Sequence, residues 1–109
     1  MSPARRRVVL DPDFYPILAT QLPLDRTATR PSISDFADHE IPRIVRRFED
    51  DWESQIPFAG LANARAAWMP GQIVFAYTVV AQLRDDGNLH LMRIEIDFEG
   101  LLDPDENQD

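Results

Sequence analysis

The 109-residue chain has no cysteine, no lysine and only two histidines, and no apolar run approaches the ~20 residues that span a bilayer. Without cysteine there are no disulfides and no thiolate metal sites. His39 and His90 would leave a metal centre to carboxylates, so no metal and no cofactor is expected. The stretch from Met1 to Arg7 leads into no signal-peptide apolar core, and the expectation is a soluble, cytoplasmic protein with no membrane contact. All of the basic residues are arginine, the better side chain for paired bonds to phosphate or carboxylate, although compositional bias of a gene gives the same pattern.

What is present is an ordinary globular composition, 44% hydrophobic and 9% aromatic, with a formal net charge of -8. The charge is unevenly spread. Residues 1–47 hold eight arginines against six acids, whereas residues 48–109 hold three against thirteen. A single α+β domain is expected over residues 1–98. The last stretch, "EGLLDPDENQD" at 99–109, reads as an acidic, disordered tail.

Local patterns predict an order of elements. "RRRVVL" ends in β-branched residues and reads as a short first strand. Asp11 and Pro12 suit a helix start ahead of "FYPILATQLP", where Pro16 keeps the helix short or delays it to about Tyr15. "LDRTATRPSIS" lacks periodicity and reads as a loop. Ile41, Ile44, Val45, Phe48, Trp52 and Ile56 recur at spacings of three and four, which marks one buried helix face. Pro42 either opens that helix or kinks it, and Ser34 with Asp35 offers an earlier start, so residues 34–41 remain open between the two.

Three strands joined by two turns account for residues 64–98. With Asp86-Gly87 as the turn, Phe75 faces Phe98, Tyr77 faces Ile96, Val79 faces Ile94 and Ala81 faces Met92, which makes one side of the hairpin apolar. With Pro70-Gly71 as the other turn, Trp68, Ala66 and Ala64 join that apolar side. The fold class expected is therefore α+β, βααβββ, with two helices on one face of a C-terminal antiparallel three-stranded meander. The second face then carries Asn63, Arg65, Gln82, Arg84, Leu89, Leu91, Arg93, Glu95 and Asp97. Two readings of it stand: a solvated face on which Arg65 neutralises Asp97 and Arg93 neutralises Glu95, or a shallow binding face. On the second reading Arg65, Arg84 and Arg93 donate to a ligand, and Glu95 and Asp97 orient them.

"FYPILATQLP", "ANARAAWMPGQIVFAYTV" and "DDGNLHLMRIEIDF" stand in an order that resembles the RelE/ParE toxin superfamily over about residues 5–98. The resemblance implies a short strand, a helical hairpin and a final meander. It also implies that Arg65 and Arg93 correspond to basic residues on the substrate face of the ribonuclease members. Those members have a strongly basic surface and a Tyr or His near the C-terminus, whereas "IDFEGLLDPDENQD" supplies only carboxylates. No catalytic residue is assigned. His90 reads as a partly buried strand-end residue on the apolar side and Tyr77 as core. The function expected is a toxin-family protein that acts through a protein partner, an antitoxin or a target, without cleaving RNA. The alternative is an acidic protein-interaction module, self-associating as a homodimer and with no toxin role. Generic nucleic acid is an unsuitable partner for either, because the net field is repulsive. Random RNA or DNA oligonucleotides should show no binding at physiological salt in a filter or anisotropy assay, and tight, salt-sensitive binding would contradict this.

Overall fold

The computed structural model describes residues 6–98, so the expectation of a disordered tail at 99–109 lies outside the described residues. The fold is α+β, with a five-stranded mixed sheet and helices on one of its faces. In chain order the elements are β1 (Val8–Leu10), α1 (Phe14–Ala19), α2 (Ile33–His39), α3 (Ile41–Asp51), a 3-10 turn at Trp52–Ser54, β2 (Ile56–Pro57), β3 (Ala64–Pro70), β4 (Ala76–Leu83) and β5 (Leu89–Asp97). The sheet order is β1-β5-β4-β3-β2. β3, β4 and β5 run antiparallel in succession, and β1 joins β5 in parallel. The expected arrangement of two helices and a three-stranded meander thus gains a third helix, a short edge strand β2 and a β1 that belongs to the same sheet.

Capping decides how the helical region is divided. Ser32 starts α2: its hydroxyl accepts from the Asp35 amide and the Asp35 carboxylate accepts from the Ser32 amide, each at 3.0 Å. This reciprocal pair satisfies two helix-end donors and sets the start at Ser32 rather than Ser34. Residues 33–39 form their own helix, and Pro42 falls in the first turn of α3, where no intrahelical bond requires its missing amide. Ahead of α1, the Asp11 carboxylate accepts from the Asp13 amide at 3.0 Å and shapes the turn that leads into the helix.

The α3 periodicity is realised as packing. Ile41, Ile44, Phe48 and Trp52 are buried against Phe14, Leu18 and Phe36 and against the sheet residues Tyr77, Val79, Ile94 and Ile96. Ile56 does not continue that face. It lies in β2 and is 71% exposed.

Two register features redistribute the sheet residues. The β4–β5 pairing is as expected from Ala76↔Asp97 to Val80↔Arg93, but an irregularity follows Val80, and Ala81 then faces Leu91 rather than Met92. An extra residue in β5 reverses the side-chain alternation beyond it. Leu89 and Leu91 accordingly lie in the core, fully buried, rather than on the second face, and His90 moves off the apolar side to face Gln82. Between β3 and β4 the connection is the loop of residues 71–75, not a tight Pro70-Gly71 turn. Met69 therefore faces Tyr77 and Trp68 faces Thr78. Arg65, Ala67 and Met69 point to the helices, while Ala64, Ala66 and Trp68 point away.

Both sheet edges are partly closed by side chains. β1 ends opposite Leu91, and beyond it the Gln21 side chain donates to the Ile94 carbonyl and accepts from the Ile96 amide, both at 2.7 Å. Gln21 so occupies the place of a further strand residue on β5. At the other edge the Pro70 carbonyl accepts from Arg43 at 3.0 Å.

The loop at 71–75 is held by Glu40, which is 0% exposed. Its carboxylate accepts from the Gln72 amide at 2.6 Å, the Ile73 amide at 2.9 Å, the Tyr77 hydroxyl at 3.0 Å and the Arg43 guanidinium at 2.8 Å. Burial pushes its pKa up, but these donors outweigh burial and hold it below the ordinary glutamate value of 4.5. Its contribution to stability is therefore complete above 4.5 and is lost as the pH falls through the lower value held in the fold. Glu40→Ala should cost about 3–5 kcal/mol in urea denaturation, because it leaves buried donors unpaired. In acid titrations Glu40→Gln should flatten the loss of stability below pH 4.5 relative to the parent chain; an unchanged slope would show that other carboxylates govern it.

Candidate functional site

With the helices on one side, the opposite face of the sheet is the candidate site. Its residues come in cross-strand rows. One row holds Ile56, Ala66, Val80 and Arg93, and the next holds Trp68, Thr78 and Glu95. Ala64, Gln82, His90 and Val9 form a third row toward the β4–β5 turn. The small residues Ala64, Ala66 and Ala76 let the backbone lie low between the larger side chains. In the strip from Ile56 to Val80, Ile56 is exposed, Ala66 is half-buried and Val80 is buried, and the exposed charges of Arg93 and Glu95 border it.

Trp68 is the residue least satisfied by its surroundings. Its indole Nε1 is buried and has no hydrogen-bond partner. A buried indole donor without a partner costs about 1–3 kcal/mol relative to a bonded one. An acceptor supplied from outside would remove that cost.

The five residues expected to bind are distributed over different places. Arg93 and Glu95 are exposed on the candidate face, opposite Val80 and Thr78. Asp97 is on the same face but 4% exposed, opposite Ala76. Arg84 lies at the end of β4, 3.3 Å from the Asp11 carboxylate, with its Nε donating to Gln82 at 3.0 Å. Arg65 is on the helix side. It donates to the carbonyls of Trp52 at 3.2 Å and Glu53 at 2.8 Å, and its guanidinium lies 5.2 Å from the Trp52 ring centroid. The expected pairing of Arg65 with Asp97 is replaced by this closure of the helical segment's C-terminal carbonyls, a position that favours a cation.

The two candidate acid–base groups stand differently: Tyr77 lies on the helix side of the sheet, whereas His90 lies in the third row of this face. The Tyr77 hydroxyl donates to Glu40 on the helix side, and burial, with the Glu40 charge, raises its pKa far above the usual phenol range. The His90 Nε2 lies 2.9 Å from the Asp86 carboxylate, and hydrogen bonds from the Asn88 amide and His90 hold that carboxylate below its ordinary value. Among the described residues no group of three or more His, Asp or Glu is placed to hold a metal ion, and no helix is long and apolar enough to cross a membrane.

Compared with protein-family models, with curated proteins and with solved structures, the chain matches none of them.

Trp68 and Ile56 belong to the candidate face but are absent from the residues that the sequence pattern singled out. A tight Pro70-Gly71 turn places Trp68 in the core, and helical spacing does the same for Ile56. The separation of the arginines gives a direct contrast in stability. Arg65→Ala should cost about 1.5–3 kcal/mol in chemical denaturation, as the loss of charge-assisted hydrogen bonds does. Arg93→Ala should stay within about 0.5 kcal/mol, as exposed changes do. Equal effects would mean that the two side chains are equivalent in the fold.

Proposed function

We propose that this chain is a small toxin-family protein of RelE/ParE type that acts by binding a protein segment on its uncovered sheet face, without ribonuclease activity. The observation that carries the reading is that face itself. Ile56 is 71% exposed beside Ala66 and Val80, next to the unpaired Trp68 donor, with Arg93 and Glu95 at the margin. An extended segment laid there can bury Ile56, accept from the Trp68 indole and pair with either charge. Such use of an open sheet follows the ordinary physics of peptide docking.

Support for the family comes from the element order: a short first strand, helices, then strands β3 to β5 in antiparallel succession. Support for the absence of nuclease chemistry comes from the arginines. Arg65 is committed to the helix end and Arg84 to Asp11, which leaves Arg93 without the basic neighbours that would hold a phosphate backbone. The exposed Ile56 on a two-residue edge strand also favours a second reading, an acidic module that self-associates through the same face.

Regulated expression in a bacterial host separates the two. On the toxin reading, expression arrests growth without loss of bulk mRNA, and Ile56→Glu, or Trp68→Phe, which removes the indole donor but keeps an aromatic ring, restores growth while the purified variants stay folded. If Arg46→Ala or Arg47→Ala on α3 restores growth and the face variants do not, the helix is the recognition surface. Normal growth, together with concentration-dependent sedimentation that Ile56→Glu abolishes, would favour the self-associating module.

A further inference from the structure

A different surface, on the loop between α1 and α2, has the makings of a small-molecule site. Residues 25–31 are closed by local bonds: the Thr27 amide donates to the Arg30 carbonyl at 2.9 Å, and the Thr27 hydroxyl accepts from the Arg30 amide at 3.0 Å. Arg26 is fastened to Asp35 by two bonds, Nε at 2.7 Å and an η nitrogen at 2.6 Å. Arg30 is held differently. Its guanidinium carbon lies 3.6 Å from the centroid of the Phe98 ring, so the cation is stacked on an aromatic face rather than fastened to a carboxylate. The loop, α2 and the 71–75 loop border an open hollow of about 290 Å³, lined by Arg26, Thr29, Arg30, Asp35, His39 and Ile73 among others.

Stacking on Phe98 engages the face of the Arg30 guanidinium rather than the N–H donors on its edge. A planar cation in that state suits two oxygens of one ligand. The Arg26 charge beside it is already balanced by Asp35, so Arg30 supplies the positive charge of the hollow. Thr29, His39 and the Asp35 residue that pairs with Arg26 also line the hollow.

We infer that this hollow binds an oxyanion, a phosphate or carboxylate group, with Arg30 as the principal donor and Thr29 and His39 as secondary ones. The site lies apart from the uncovered sheet face and does not depend on a toxin role. In an otherwise acidic protein of net charge -8 it is a local exception to the field, and that field restricts it to ligands small enough to enter the hollow.

The test is an amide chemical-shift titration of the full chain with inorganic phosphate, with succinate and with sodium chloride at matched ionic strength. Saturable shifts confined to residues 26–30, His39 and Ile73, given by phosphate or succinate but not by chloride, are the expected result. Which of the two anions gives them identifies the ligand's oxygen group as phosphoryl or carboxylate. Arg30→Gln should weaken that binding by about tenfold or more, and Arg30→Lys should weaken it as well, because an ammonium keeps the charge but loses the fork. Arg26→Gln should also weaken it, by leaving the Asp35 charge facing the hollow. Shifts that are non-saturable, equal with chloride or spread over the whole sheet would overturn the assignment, as would unchanged affinity in Arg30→Gln. Because the parent chain alone gives the confined or unconfined pattern, the titration remains decisive even where a variant folds poorly.

Discussion

The buried carboxylate of Glu40 is the contact on which the arrangement of the sheet depends. An ionised group taken out of water costs several kcal/mol unless good hydrogen bonds replace its solvent. Here the replacements come from three parts of the chain: two amides of the 71–75 loop, the Tyr77 hydroxyl in β4 and the Arg43 guanidinium one turn into α3. Arg43 reaches on to the Pro70 carbonyl, so both ends of the loop are tied to the junction between α2 and α3. Gly71 is needed for this closeness. A Cβ there would lie 2.4 Å from the Val74 carbonyl oxygen and 3.1 Å from the Glu40 carboxylate. A loop fixed in this way sets the offset between β3 and β4. The offset in turn decides that Arg65 turns toward the helices and Trp68 away from them. The composition of the uncovered face thus follows from a contact on the opposite side of the sheet.

Much of the fold was legible in the sequence where one periodicity operated without interruption. The spacing of Ile41, Ile44, Phe48 and Trp52 has a single solution as a helix, and the alternation of Tyr77 and Val79 against Ile96 and Ile94 has a single register. Legibility ended where the alternation changes phase. Leu89 and Leu91 are odd-numbered and buried, whereas Ile94 and Ile96 are even-numbered and buried. That change of parity within one strand is the mark of an inserted residue. It was available in the sequence, but counting outward from the Asp86-Gly87 turn passes over it. The offset of β3 had no such signal. Ala64, Ala66 and Trp68 are as apolar as Ala67 and Met69, so the pattern does not choose between faces, and the loop length is set by Glu40 from a distance. The expected candidate residues scattered for the same reason. Arg93 and Glu95 lie on the regular side of the bulge and kept their places, whereas Arg65 depended on the unreadable offset.

The use of arginine explains how a chain with no lysine deploys its positive charge. Arg26 holds Asp35, Arg43 holds Glu40, Arg65 holds the carbonyls that end the helical segment, and Arg84 holds Asp11. Of these, the Arg26–Asp35 contact uses the planar fork on both carboxylate oxygens, which an ammonium does less well, and Arg84 divides its donors between Gln82 and Asp11. Four of the eleven arginines are engaged in this way, whereas Arg7, Arg46, Arg47 and Arg93 are exposed. Arg93 and Arg30 stand in different surroundings, the first exposed opposite Val80 and the second stacked on the Phe98 ring.

These two settings share a structural dependence although they are separate surfaces. Ile73 is a wall of the hollow beside Arg30, and its amide is bonded to Glu40. Trp68 lies two residues before the end of β3, and its facing is set by the loop that contains Ile73. A movement of the 71–75 loop would therefore widen or narrow the hollow and, at the same time, strain the β3–β4 pairing beneath Trp68. The β4–β5 pairing and the contact of Gln21 with β5 have no part in that loop and would stay as they are. The sheet is in this sense divided: β4, β5 and β1 form a frame set by their own packing, whereas β3 takes its position from a carboxylate on the helical layer. Anything that competes for the four donors of Glu40 acts first on β3, and so on the face where a partner segment would lie.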